Sequence, residues 1–262
     1  MNQATNARDH EQALSLLNSG QLMAGIELLV GILKTNPRHE DSARLVAQIA
    51  NSLTSTDQSI GLLNHCIEQG VVSDILSYEL GSHYLALGRY VDALEAFTKA
   101  LALNPQNFEA LHDTGTTYAL MGKKSEARDF FLKAASINDQ SADLLYNLGR
   151  LHDDQYEYDK AIHFYQKVVS TDPLHAEAWI NLAIDLSTFK KYSEALVCFE
   201  KAYALNPQIE FLYGDCIYTR MRMCMWEGMQ EAQHRLIDGI DHGEKMISPL
   251  PISALVDSPA LN

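Results

Sequence analysis

The chain has 262 residues, 47% of them hydrophobic and 21% charged, which is enough apolar material for one large or two small compact units. Its 20 Lys and Arg are set against 34 Asp and Glu, a formal net charge of -14. A surface that acidic repels phosphate backbones and anionic headgroups, which disfavours nucleic acid and membrane surfaces as partners.

The opening "MNQATNARDHEQALSLLNSG" lacks the basic start and unbroken apolar stretch of a signal peptide. No segment approaches the roughly 18 consecutive apolar residues of a membrane span, so a cytoplasmic protein is expected. Cys66, Cys198, Cys216 and Cys224 are scattered. They read as packing residues in a reducing compartment, not as metal ligands or disulfides.

From residue 6 onward the chain repeats itself every 34 residues. Steps of 34 from Pro105 reach Pro37, Val71, Asp139, Pro173 and Pro207, four prolines among six positions in a chain with seven. Gly81 maps onto Gly115, Gly149 and Ala183, and backwards onto Ala47 and Ala13; Ala93 maps onto Ala127, Ala161 and Ala195; Phe97 maps onto Phe131, Tyr165 and Phe199. The units run 6–39, 40–73, 74–107, 108–141, 142–175 and 176–209. Within each, apolar residues such as Leu80, Tyr84, Leu87 and Tyr90, Leu94, Phe97 recur at helical spacing.

Each landmark has a physical reading. Small residues such as Gly81 and Ala93 mark helix crossings, where only a minimal side chain lets backbones approach. Aromatics such as Tyr84 and Phe97 are expected to fill the wedge between one hairpin and the next. Gly20, Gly88 and Gly122 occupy the turn between the two helices, and the prolines follow the second helix. The first two units are the more divergent: Gly25 and Ser59 replace the crossing alanine and Val71 the proline. A helix–turn–helix of this kind cannot bury its apolar face alone and must stack on its neighbours. The expected fold is all-α, a right-handed α-solenoid.

Residues 210–245 keep a helical composition and lose the landmarks: Ile217, Arg220, Met229 and Gln233 stand where small or aromatic residues belong. Met221, Met223, Met225 and Trp226 form a dense apolar cluster, read either as part of a divergent capping hairpin or as a contact for a second copy or a following domain. Residues 246–262, "MISPLPISALVDSPALN", carry three prolines and no helical period, and an extended segment is expected there.

Catalytic patterns fail. "GKKS" at Gly122–Ser125 lacks the earlier glycine of a phosphate loop, with Thr117 in its place, and falls on an inter-helix turn. In "HDDQYEYDK", starting at His152, Asp153 and Asp154 end the first helix of their unit and are expected to form a solvated acidic edge. His65, His83 and His112 have no ligand spacing and no nucleophile partner. The sequence argues for no enzyme, no cofactor and no metal.

The stretches "YELGSHYLALGRYVDALEAFTKALALNP", "LHDTGTTYALMGKKSEARDFFLKAASIND", "LYNLGRLHDDQYEYDKAIHFYQKVVSTDP" and "WINLAIDLSTFKKYSEALVCFEKAYALNP" resemble the tetratricopeptide repeat (TPR) family. That resemblance implies a concave face, lined by the first helix of each unit, that binds a peptide or protein segment. Carried over position by position, it implies Tyr78, Glu79 and Ser82 in the third unit and His112, Asp113 and Thr116 in the fourth. It implies Tyr146, Asn147 and Arg150 in the fifth, and Ile180, Asn181 and Ile184 in the sixth. Glu79, Asp113, Asn147, Asn181 and Asp215 form one polar column. Its amides could grip an extended backbone, its acids favour Lys or Arg on the partner, and Asn147 and Asn181 are expected to be exposed. Ile75, Glu109, Asp143 and Glu177 stand where chaperone-clamping relatives carry basic residues, which argues against a carboxylate-terminal ligand.

The run "FLYGDCIYTRMRMCMWEGMQEAQHRL…ISPLPISALVDSPAL" is similar to the linker of bacterial O-GlcNAc transferase-like proteins of the SPINDLY group. Those proteins join a repeat array to a glycosyltransferase domain that is not among these 262 residues. The leading expectation is a non-catalytic interaction scaffold. The alternative is the substrate-recognition arm of such a glycosyltransferase.

Overall fold

The computed structural model describes residues 2–242 and Lys245, so the segment 246–262 expected to be extended lies outside the described residues. Among the described residues there are fourteen helices and no strand, and no helix is long and apolar enough to cross a membrane. The fold is an all-α helical-repeat solenoid. The chain divides into two compact units, 1–139 and 140–262.

The first unit holds α1 (Asn2–Asn18), α2 (Leu22–Thr35), α3 (Glu40–Ser52), α4 (Thr56–Glu68), α5 (Asp74–Ala86), α6 (Tyr90–Leu103), α7 (Phe108–Leu120) and α8 (Lys124–Ala135). The second holds α9 (Ala142–Asp153), α10 (Tyr158–Thr171), α11 (Ala176–Thr188), α12 (Tyr192–Leu205), α13 (Leu212–Arg222) and α14 (Met229–Asp241). Hairpin partners pack together, as α5 on α6 and α11 on α12, and within each unit successive hairpins pack on one another, as α6 on α7 in the first and α10 on α11 in the second.

Three backbone devices recur. First helices open on a side-chain cap: His39, Ser73, Asn107, Ser141 and His175 each accept from the backbone N–H three residues on, at 2.9–3.4 Å. The turn inside the hairpin is left-handed, with φ of +82°, +70° and +75° at Gly20, Gly88 and Gly122. There the helix ends in paired reverse bonds, for example Gly88 N–H to Leu85 O and Arg89 N–H to Tyr84 O, both 2.9 Å. Second helices end on an Asx-Pro turn, in which Asn104, Asp172 and Asn206 accept from the N–H two residues later at 3.3, 3.0 and 3.0 Å.

Packing inside the hairpins follows from the missing side chains. A methyl added at Gly81, Gly115 or Gly149 would come within 2.5, 2.6 or 2.7 Å of Phe97, Phe131 or Tyr165. All three rings are completely buried. These aromatics therefore fill space within their own hairpin, whereas the wedge between hairpins was expected. Ala93, Ala127, Ala161 and Ala195 are fully buried on the facing helices.

Past Pro207, Met229, Ala232 and Leu236 of α14 pack on Ile217 of α13, and Met221 joins that small core. The methionine cluster is thus divided. Met221 points inward, while Met225 and Trp226, in the connection before α14, are exposed.

Candidate functional site

In the first unit, α3, α5 and the start of α7 border a groove of about 510 Å³. Among the described residues, Glu40, Asp74, Glu79 and Glu109 line it against one base, Arg44, which pairs with Glu40 at 3.5 Å. Of the residues picked from the sequence, Tyr78 and Glu79 face this groove. Glu79 accepts from the Asn51 amide at 3.1 Å, and Asp74 accepts from the Asn104 amide at 3.0 Å.

His112 and Asp113 lie on α7 and are largely covered, their side chains 16% and 21% exposed. The Tyr78 hydroxyl donates to Asp113 Oδ2 at 3.1 Å, and His112 Nδ1 lies 3.1 Å from Oδ1. Burial and the neighbouring Asp113 carboxylate push the Tyr78 phenol above its ordinary range, so it stays a hydrogen-bond donor. The His112 ring sits between Phe108 and Phe131. Tyr78, His112 and Asp113 therefore tie α5 to α7 and fix one wall of the groove.

In the second unit, Tyr146, Asn147 and Arg150 lie on α9, Asn181 on α11 and Asp215 on α13. The expectation that Asn147 and Asn181 are exposed is corrected: both are half-buried. Asn181 donates to the Tyr146 and Tyr165 hydroxyls at 3.3 and 3.4 Å. It is covered because its turn of α11 packs onto the preceding hairpin. Tyr146 also packs its ring against His175 in a tilted contact, with ring centroids 4.6 Å apart, and the exposed Arg150 guanidinium stands 5.9 Å from the Tyr146 ring. Burial raises the Asp215 carboxyl to about 6.

Asp153 corrects a second expectation. Asp154 is exposed, but Asp153 is half-buried, because the end of α9 faces the fully buried Asp185 of α11. Glu40, Asn51, Asp74 and Asp185 were not singled out from the sequence. The register held a signal for Asp185: its equivalents Thr117 and Thr219 are buried too.

A stack of capped hairpins with a lined groove defines a helical-repeat protein. Tetratricopeptide repeat models match residues 78–143, 142–175 and 176–209, just over half of the chain. The chain belongs to the tetratricopeptide repeat family. It is similar in fold to Pseudomonas aeruginosa PilF, with a TM-score of 0.68, 16% identity, and coverage of 75% of this chain and 91% of that one. MamA aligns with a TM-score of 0.55, 20% identity, and coverage of 63% and 96%. YrrB, described as a TPR protein with an unusual peptide-binding site, aligns with a TM-score of 0.51, 20% identity, and coverage of 64% and 84%. No curated protein sequence matches the chain.

Proposed function

We propose that this protein is a non-catalytic interaction scaffold that holds a basic, extended or helical segment of a partner protein. Six repeats, 6–39 to 176–209, carry the binding, and 210–245 caps the array. Tyr78, Glu79, His112 and Asp113 form the binding surface in the first unit. Tyr146, Asn147, Arg150, Asn181 and Asp215 form it in the second, with Asn181 acting through the tyrosines it holds. The observation that carries the reading is the first-unit groove, whose four carboxylates face one already paired arginine. Acidic linings of this kind select cationic partners and speed their encounter. Carboxylate-terminal ligands fit poorly beside Glu109, which lines the same groove.

A second docking point is proposed at Met225 and Trp226, 39% and 59% exposed; Met221, packed on α14, does not belong to it. The glycosyltransferase-arm reading rests on the similarity of the C-terminal stretch alone, and no observation favours it.

The test is a titration of the full chain with a lysine- and arginine-rich peptide and with its glutamate-substituted counterpart. Only the basic peptide should bind. The double variant Glu79→Lys, Glu109→Lys should weaken it by about tenfold or more, equivalent to ~1.4 kcal/mol. Equal affinity for both peptides would remove the proposal.

A further inference from the structure

Asp185 is completely buried, and among the described residues neither of its carboxyl oxygens has a hydrogen-bond donor. The group within hydrogen-bonding reach is another carboxyl, that of Asp153 on α9. Two carboxylates can only accept, so their contact becomes a hydrogen bond when one of them holds a proton. We infer that Asp153 and Asp185 share one proton between α9 and α11, and that this proton makes the second unit a pH-sensitive element.

The surroundings assign the proton. From α9, Asp154 and Arg150 act on Asp153. From α10 the Tyr165 ring faces both carboxyls, and its phenol is pushed well above its ordinary range, mainly by burial, so it stays neutral. From α12 the buried group that can ionise is Cys198, whose thiol burial pushes up to about 11. The cation near the pair, Arg150, favours a charge on Asp153, so Asp185 carries the proton and donates it. Burial first, and the Asp153 charge second, raise the Asp185 carboxyl to about 7.

The same register position elsewhere supports a neutral group. Thr117 and Thr219 are buried there and donate to the carbonyls of Asp113 and Asp215 at 2.6 and 2.7 Å. An aspartate has a hydrogen to donate only when protonated. One turn along α11, Asn181 holds the Tyr165 hydroxyl. Losing the proton sets two negative charges between the helices that carry Tyr146, Arg150 and Asn181.

The folded protein keeps a proton that the unfolded chain releases near the ordinary aspartate value of about 4. This contribution to stability is therefore full below about pH 4, falls as pH rises towards about 7, and is level above that. The inference rests on the fold alone, and its test needs no partner.

That test is thermal and chemical unfolding of the full chain, Asp185→Asn and Asp153→Asn between about pH 5 and about pH 8. The folded-to-unfolded ratio of the parent, relative to Asp185→Asn, should fall by up to about tenfold per pH unit and level off near neutrality. Measured against Asp153→Asn, the parent should show the same trend with a smaller slope. Parallel curves for all three proteins would overturn the inference. A slope of the parent against Asp185→Asn with none against Asp153→Asn would overturn the sharing. Should Asp185→Asn fail to fold, the Asp153→Asn comparison alone decides, and a pH-independent difference sinks the pair.

Discussion

Gly115 and Tyr156 show how one side chain acts in this repeat. At Gly115 the missing methyl admits the Phe131 ring, since an added carbon would meet it at 2.6 Å and the Ala127 carbonyl at 3.2 Å. Gly115→Ala should therefore destabilise by ~1–3 kcal/mol through overpacking, read by urea unfolding. An unchanged midpoint would contradict the contact. Tyr156 is the opposite case. It and Lys190 take the left-handed turn that Gly88 and Gly122 occupy, with φ of +60° and +59°. A side chain there costs ~1–2 kcal/mol, partly offset by the backbone freedom a glycine brings to the unfolded chain. Tyr156 is 79% exposed, so it repays little of this through packing. Tyr156→Gly should raise stability by ~0.5–1 kcal/mol, and a lower melting temperature would indicate that its edge contact with Tyr158 matters more.

Helix starts divide into two kinds. The first helices α3, α5, α7, α9 and α11 carry a side-chain cap; second helices such as α6 after Arg89 and α12 after Lys191 carry none and follow directly from the left-handed turn. Capping by the His175 ring also fixes its tilted contact with Tyr146. His175→Ala should cost ~0.5–2 kcal/mol. His175→Asn should restore the cap without the ring, so the gap between the two variants in thermal melts separates capping from the ring contact. A variant pair with equal stability would mean that the 3.2 Å bond contributes nothing.

This division explains what could be read in advance. Prolines, turn glycines and crossing alanines answer to backbone demands local to one hairpin, so a 34-residue period exposed them and the helices they bound. Burial from outside the hairpin leaves no such mark. Asn181 looks like a water-facing amide until the tyrosines of the preceding hairpin reach it. Asp153 looks like a solvated edge until a carboxylate 32 positions later lies against it. Tyr156 and Lys190 keep the turn without the glycine that announces it.

The whole chain carries a formal net charge of -14, and that charge acts on stability and on binding with opposite signs. Like charges on a compact body repel, so salt screening should stabilise the fold. The exposed ion pairs, such as Arg89–Asp92 at 2.7 Å and Lys99–Glu95 at 2.8 Å, oppose this weakly, because exposed pairs contribute ~0–1 kcal/mol each. Attraction between the acidic groove and a basic segment is screened by the same ions, so affinity should fall. Raising salt to about 1 M, where the Debye length shrinks to ~3 Å, should raise the melting temperature and weaken the basic peptide in one buffer series. The unfolding curve and the titration check the two halves on the same sample. Affinity that holds while the melting temperature climbs would show that the peptide is gripped through apolar contacts, and the electrostatic part of the proposal would go with it.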